Sequence, residues 1–296
     1  MPELPDITVY IEALERRVLG HPLLKALIIN PFVLRSYDPP IAEAEGLSVR
    51  AVRRLGKRLV FELDASPQPL FLVIHLMIAG RLHWHDAPPR INRRRTLAAL
   101  TFTSGTLTLT EAGTKRRASI HLVRGAQALA AHDRGGLEVL EASLHAFGER
   151  LRSENHTLKR ALTDPRLFSG IGNAYSDEIL HRARMSPLTL TSRLTDEGVR
   201  TLFEAIRAVL SEWTERLRLL AGGEFPEKVT AFREGMAVHG RFRLACPACG
   251  ASVQRIRYAD NETNYCARCQ TGGKLLADRS LSRLLKDDWP KSIDEL

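Results

Sequence analysis

Four cysteines occur in the 296-residue sequence, Cys246, Cys249, Cys266 and Cys269, in the pattern C-x2-C-x16-C-x2-C. Each C-x2-C turn aims two thiolates at one centre, and two such turns complete a tetrahedral zinc site. Four thiolates leave no coordination position for a substrate, so the expected cofactor is one structural Zn2+. His239, just upstream, is expected in a surface loop and not among the ligands. A different chemistry lies at the other end of the chain. Initiator methionine is generally removed before a small residue, which would give Pro2 a free secondary amine with an ordinary pKa of about 8. The neutral fraction of such an amine attacks electrophilic carbon. Attack on a sugar C1′ would expel a base and leave an iminium. Glu3 stands next to it and could protonate the ring oxygen.

These groups need a scaffold and a partner. Forty-three Lys and Arg against 34 Asp and Glu leave a net charge of +9 and a pI near 9.7. Such a balance favours phosphate backbones, whose condensed counterions are released on binding. The cations cluster as Arg53, Arg54, Lys57 and Arg58, then Arg90, Arg93, Arg94 and Arg95, then Lys115, Arg116 and Arg117. Three clusters in the first half point to a binding groove more than to scattered solvated faces. No uncharged apolar run reaches the roughly 18 residues of a membrane span. The opening MPELPDITVY lacks the basic n-region of a secretory signal. A cytoplasmic, nucleoid-associated location is therefore expected, where thiols stay reduced.

Pro5 with Glu3 and Asp6 marks a helix start and Gly20 a helix end, with Ile7, Ile11, Leu14 and Val18 at helical spacing between them. Residues 25 to 125 read as β: Leu59–Leu63, the apolar run Leu70–Leu76, and Leu97–Thr110 broken by a hairpin signal at Ser104-Gly105. Short strands without intervening helices suggest an antiparallel sandwich. Asp133-Arg134-Gly135-Gly136 reads as a linker. Helical pattern follows over Leu140–Leu151, Thr157–Leu162, Ala174–Arg184 and Asp196–Leu220, and a last helix is expected over Leu275–Leu285.

The strings PELPD at 2–6, LGKRLVFEL at 55–63, SGIGNAYSDEIL at 169–180, CPACG at 246–250 and CARCQ at 266–270 stand in one chain in that order. Together they resemble the formamidopyrimidine-DNA glycosylase/endonuclease VIII family along nearly the whole length. The resemblance implies an α+β multidomain fold. Its expected parts are an N-terminal antiparallel β-sandwich with a leading helix (1–132), a helix–two-turn–helix domain (133–235), a zinc finger (236–270) and a tail (271–296). It also implies a base-excision DNA glycosylase with AP lyase activity, acting on damaged DNA as a monomer and away from membranes. Pro2 then matches the Schiff-base nucleophile, Glu3 the acid that opens the ribose, and Lys57 a lysine that grips the lesion phosphate and assists elimination. Glu178 matches a carboxylate near the active site. Asn173 matches the asparagine that opens the helix–two-turn–helix, where free N–H groups and the helix dipole favour phosphate; an N-cap role is equally open to it. Met77 and Ile78 would fill the space left by a flipped nucleotide, and Arg116 would reach the orphan base. Arg95 and Lys159 fall near family DNA contacts.

The sequence departs from the family at two places. The family's Arg-Arg-Phe wedge ends here in Ala118, which favours single-stranded or distorted DNA as substrate, since unpairing costs less there. The finger's phosphate-binding arginine is replaced by Asn261. The alternative reading is an inactive relative that binds damaged DNA or another nucleic acid through the same surface; Pro2, Glu3 and Lys57 argue against it.

Overall fold

The structure, a computed structural model, describes the chain except residues 113–114, 228, 231–232, 259–260, 278–283, 285–289 and 296. The described chain forms two compact units, one of Met1–Arg134 with Trp213–Thr230, the other of Gly135–Glu212 with Ala231–Leu296.

The first unit opens with α1 (Leu4–Val18), closed at its start by a capping box: the Glu3 carboxylate faces the Asp6 amide, and Asp6 Oδ2 accepts the Glu3 N–H at 2.8 Å. Reciprocal capping satisfies helix-end donors that burial would otherwise leave unpaired. Ile7, Leu14 and Val18 are fully buried as their spacing predicts. Tyr10 and Ala13 complete the stripe, and Ile11 sits at its margin.

Eight strands follow: β1 (Leu23–Ile28), β2 (Val49–Leu55), β3 (Arg58–Leu63), β4 (Leu70–His75), β5 (Gly80–His85), β6 (Thr96–Phe102), β7 (Gly105–Glu111) and β8 (Ser119–Arg124). They make two antiparallel sheets, ordered β1-β6-β7-β5 and β2-β3-β4-β8. Inward residues such as Phe61, Leu72, Ile74, Leu100 and Leu107 share one core with α1. The β4 run is apolar on both faces because α2 (Gly125–Ala130) covers the outside: Phe71 and Val73 pack with Val60, Val123 and Leu129. After Gly222, Phe225 and Val229 return to this core, and the Phe225 ring lies 5.6 Å from that of Tyr10.

The second unit holds α3 (Leu144–Arg152), α4 (Leu158–Thr163), α5 (Asn173–Arg182) and, up to Glu212, α6 (Asp196–Ala221). The sequence pattern starts α3 at Leu140. The helix begins four residues later because Ser143 caps it, its hydroxyl accepting the Ala146 N–H at 3.2 Å. Phe147 packs with Phe168 and Phe203 at the centre of this bundle. The unit closes with the hairpin β9 (Val253–Tyr258) and β10 (Asn261–Cys266) and the short α7 (Ala267–Thr271). Of the helix expected over Leu275–Leu285, residues 278–283 and 285 lie outside the described residues. Among the described residues, no helix is long and apolar enough to cross a membrane.

Candidate active site and DNA-contact residues

Pro2 and Glu3 are buried ahead of α1, Glu3 at 2% exposure. Burial holds the Met1 ammonium below its ordinary value of 8.0; Arg81 and Lys57 push it further down, while Glu3 and Asp6 oppose them. The Met1 amine is thus biased toward its neutral form. Lys57 is half-buried in the turn joining β2 to β3, where Gly56 supplies the left-handed φ of 61° that the turn requires.

His75, at the end of β4 and opposite Arg58 in the ladder, also feels Lys57. Burial first, then Arg58 and Lys57, pull its pKa down to about 4, so it is a neutral imidazole at pH 7. The motif strings give this histidine no role; its place beside the Lys57 turn becomes visible only with the strand register. On the same face of the sheet, His121 is also held at about 4, and its ring meets that of His132 edge-on at 4.7 Å.

The loop after His75 is a tight turn. Gly80 N–H donates to Leu76 O at 2.9 Å, and a Cβ on Gly80 would stand 2.2 Å from that oxygen. Met77 takes a left-handed φ of 53°, uncommon for a side chain of its size, and Ile78 projects at 62% exposure. Arg81 donates to the carbonyls of Ile78 at 3.2 Å and Gly80 at 2.6 Å, tying this turn to the residue that acts on the chain's first amine. Arg95 ends the exposed loop between β5 and β6. Arg116 is exposed in the loop after β7, its guanidinium on Arg94 O at 2.5 Å. Ala118 packs into the sandwich core. The position matching the family's aromatic wedge therefore points inward here.

In the second unit Asn173 is the first residue of α5. Its cap is Gly172, and the Asn173 amide donates to Glu262 O at 2.9 Å, so the N-cap role does not hold. Lys159 is spent internally: Nζ reaches Asn173 O at 2.7 Å, Ser176 Oγ at 2.8 Å and Asp177 Oδ1 at 2.5 Å. Glu178 accepts three backbone N–H groups, from Ala237 at 2.7 Å and from Val238 and His239 at 2.9 Å each. Burial pushes its carboxyl pKa up against those three donors. His239 is no surface residue. It is buried, with Nδ1 on Asp177 Oδ2 at 2.8 Å, and Asp177 also accepts the Asn264 N–H at 3.2 Å. Sequence reasoning missed Asp177, the centre of this network, although it stands in the quoted string SGIGNAYSDEIL.

The four cysteine sulfurs lie within 4.8 Å of one another, with Cys249 to Cys266 at 3.4 Å and Cys246 to Cys269 at 3.9 Å. A tetrahedron with Zn–S bonds of about 2.3 Å separates its sulfurs by about 3.8 Å. This is the site of one structural zinc ion. His181 on α5 stands outside it with Nε2 3.2 Å from Cys246 Sγ, the kind of outer contact that orients a thiolate ligand. Asn261 is exposed at the start of β10. Nearby, Arg268 is held by Asp294 at 3.1 Å, and Arg255 by Glu262 at 3.4 Å and by the Phe242 ring.

Family models match three stretches: the formamidopyrimidine-DNA glycosylase N-terminal domain over residues 1–120, the formamidopyrimidine-DNA glycosylase H2TH domain over 137–217, and the zinc finger found in FPG and IleRS over 244–272. The formamidopyrimidine-DNA glycosylase of Thermus thermophilus is 33% identical over 285 residues, covering 92% of this chain and 100% of that protein. An uncharacterized formamidopyrimidine-DNA glycosylase-like protein of Mycobacterium tuberculosis is 41% identical over 156 residues, 51% of this chain and 94% of that one. The crystal structure of MutM (Fpg) from Thermus thermophilus superposes with a TM-score of 0.73 at 32% identity, covering 91% of this chain and 98% of that one. A Lactococcus lactis FPG mutant in complex with Fapy-dG-containing DNA shares the fold with a TM-score of 0.76 at 24% identity, covering 91% of this chain and 100% of that chain. The chain belongs to the formamidopyrimidine-DNA glycosylase family, and its sandwich, H2TH and zinc-finger architecture is that of the family.

Proposed function

We propose that this chain is a base-excision DNA glycosylase and AP lyase whose nucleophile is the Pro2 amine. The observation that carries the reading is the setting of the chain's first residues. They are buried at the start of a capped helix, with Glu3 at hand and with Arg81 and Lys57 biasing an amine there toward the neutral form. After removal of Met1, the Pro2 nitrogen lone pair attacks C1′ of the damaged nucleotide, and the C1′–N glycosidic bond breaks. The base departs with that electron pair and gains a proton. Glu3 protonates the ring oxygen as the sugar opens to an iminium. Loss of a C2′ proton then expels the 3′ phosphate, with Lys57 holding the phosphate and neutral His75 adding a donor beside it. Ile78 and Met77 fill the vacated space, Arg116 meets the orphan base, and the basic loop ending at Arg95 holds backbone phosphate. Asn173 offers a neutral contact at the start of α5.

Borohydride reduction tests this directly. Wild-type protein should give a stable covalent adduct with abasic DNA, and residues left ahead of Pro2 should abolish it. An adduct that survives such an extension assigns the nucleophile to another amine. No adduct on any lesion leaves the inactive DNA binder as the reading.

A further inference from the structure

Glu111 closes β7 at 2% exposure, at a strand end whose neighbouring loops are rich in cations: Arg93, Arg94, Arg95, Lys115, Arg116 and Arg117. A buried carboxylate in such company commonly takes a guanidinium as its partner. This one takes the main chain. Oε1 and Oε2 each accept the Arg117 N–H at 3.0 Å, and Oε2 also accepts the Ala118 N–H at 3.1 Å. Fixing two consecutive amides sets the direction of the loop: Ala118 turns into the core while Lys115, Arg116 and Arg117 remain outside. The backbone of Glu111 reaches the two neighbouring loops as well. Its N–H donates to Arg95 O at 3.1 Å, and in the β5–β7 ladder it faces Gly80, which closes the Leu76–Gly80 turn. The loops carrying Ile78, Arg95 and Arg116 thus meet at one residue.

We propose that Glu111 is a positioning residue: its carboxylate fixes the loop backbone that aims Arg116 at the base left unpaired when a nucleotide is flipped. The proposal rests on the reading that this face opens damaged duplex, and Glu111 itself touches no DNA. An arginine has many rotamers, and a mobile backbone beneath it would multiply the orientations to be ordered on binding. Three hydrogen bonds from two amides to one buried carboxylate remove that freedom before DNA arrives. Glu111→Gln keeps the size but turns an NH2 group toward amides that need an acceptor.

The test uses an uncleavable abasic analogue, tetrahydrofuran, opposite 2-aminopurine, whose emission reports insertion beside the orphan base. Affinity is read by anisotropy on the same duplex and on single-stranded DNA. Wild-type protein should change the emission at saturation, and Glu111→Gln should lose most of that change, as Arg116→Ala does. Duplex affinity should fall about 10-fold or more, while single-strand affinity stays within about twofold. Adding Glu111→Gln to Arg116→Ala should cost less than about a further twofold. Should Glu111→Gln fail to fold, Glu111→Asp, with the charge kept and the reach shortened, reads the same signal. A full emission change in the Glu111 variant, no change with wild-type protein, or equal losses on both DNAs would overturn the proposal. Because the analogue cannot react, its emission change is independent of chemistry: an emission change here, with no borohydride adduct on true abasic DNA, sinks the lyase reading and leaves Glu111 its role.

Discussion

Lys159→Met separates two meanings of one lysine. The resemblance puts Lys159 near DNA, whereas the structure surrounds its ammonium with three oxygens and leaves its side chain 12% exposed against 0% for Asp177. Removing the ammonium leaves the Asp177 carboxylate with the His239 Nδ1 and Asn264 N–H contacts. Breaking a buried ion pair from one side costs roughly 3–5 kcal/mol, and the two surviving contacts put this case at about 3. That corresponds to about a 150-fold shift in the unfolding equilibrium of the second unit. Guanidinium unfolding, followed by zinc released to a colorimetric chelator and by amide exchange in α5, reads that unit separately. The salt slope of DNA binding should not change. Stability within about 0.5 kcal/mol of wild type, with a salt slope shallower by about 0.9, would refute the reasoning and make Lys159 a phosphate contact.

Two further predictions concern protons and phosphate. His75 and His121 are held at about 4 against an ordinary 6.5, so between those values the unfolded chain takes up protons that the folded chain refuses. Stability of the first unit should therefore fall as pH drops from 6.5 toward 4, by about 1–2 kcal/mol per histidine at pH 5 after allowing for partial exposure. Thermal melts from pH 7 to pH 5 check this, and His121→Gln should flatten the dependence. With Arg255 and Arg268 already engaged and Asn261 exposed, wild-type protein should stop after β-elimination and leave a sugar remnant on the 3′ end. Asn261→Arg should shift product toward 3′-phosphate and steepen the salt slope by about 0.9. Mainly 3′-phosphate from wild-type protein on a sequencing gel would contradict the assignment.

The zinc site was legible in full because its ligands come in two short turns whose spacing is itself the geometry. The sandwich was legible from short strand runs without intervening helices and from the Ser104-Gly105 hairpin signal, and α1 from its apolar period and the acids at its start. What stayed hidden depends on partners far along the chain. Glu178 reads as an acid that complements the dipole of its helix, and Asp177 beside it as nothing in particular, yet apart from Lys159 their donors lie some 60 to 87 residues away at Ala237–His239 and Asn264. Glu111 reads as an ordinary strand end, because nothing local says that it will turn back to the amides of Arg117 and Ala118. His239 reads as a surface or loop residue for the same reason: a buried histidine declares itself only through the carboxylate opposite it.

A lysine nucleophile swings on four single bonds, and ordering such a side chain costs up to about 2 kcal/mol. The Pro2 amine swings on none. Its nitrogen belongs to both ring and backbone, and one residue later the backbone is tied down where the Glu3 N–H meets Asp6. Folding α1 therefore aims the proposed nucleophile, with no rotamer left to correct an error. The reacting atom inherits its place from the packing of Ile7, Tyr10 and Leu14 beneath it. A methylene lost from that packing, far from any base, would be felt at C1′ as a misplaced nitrogen.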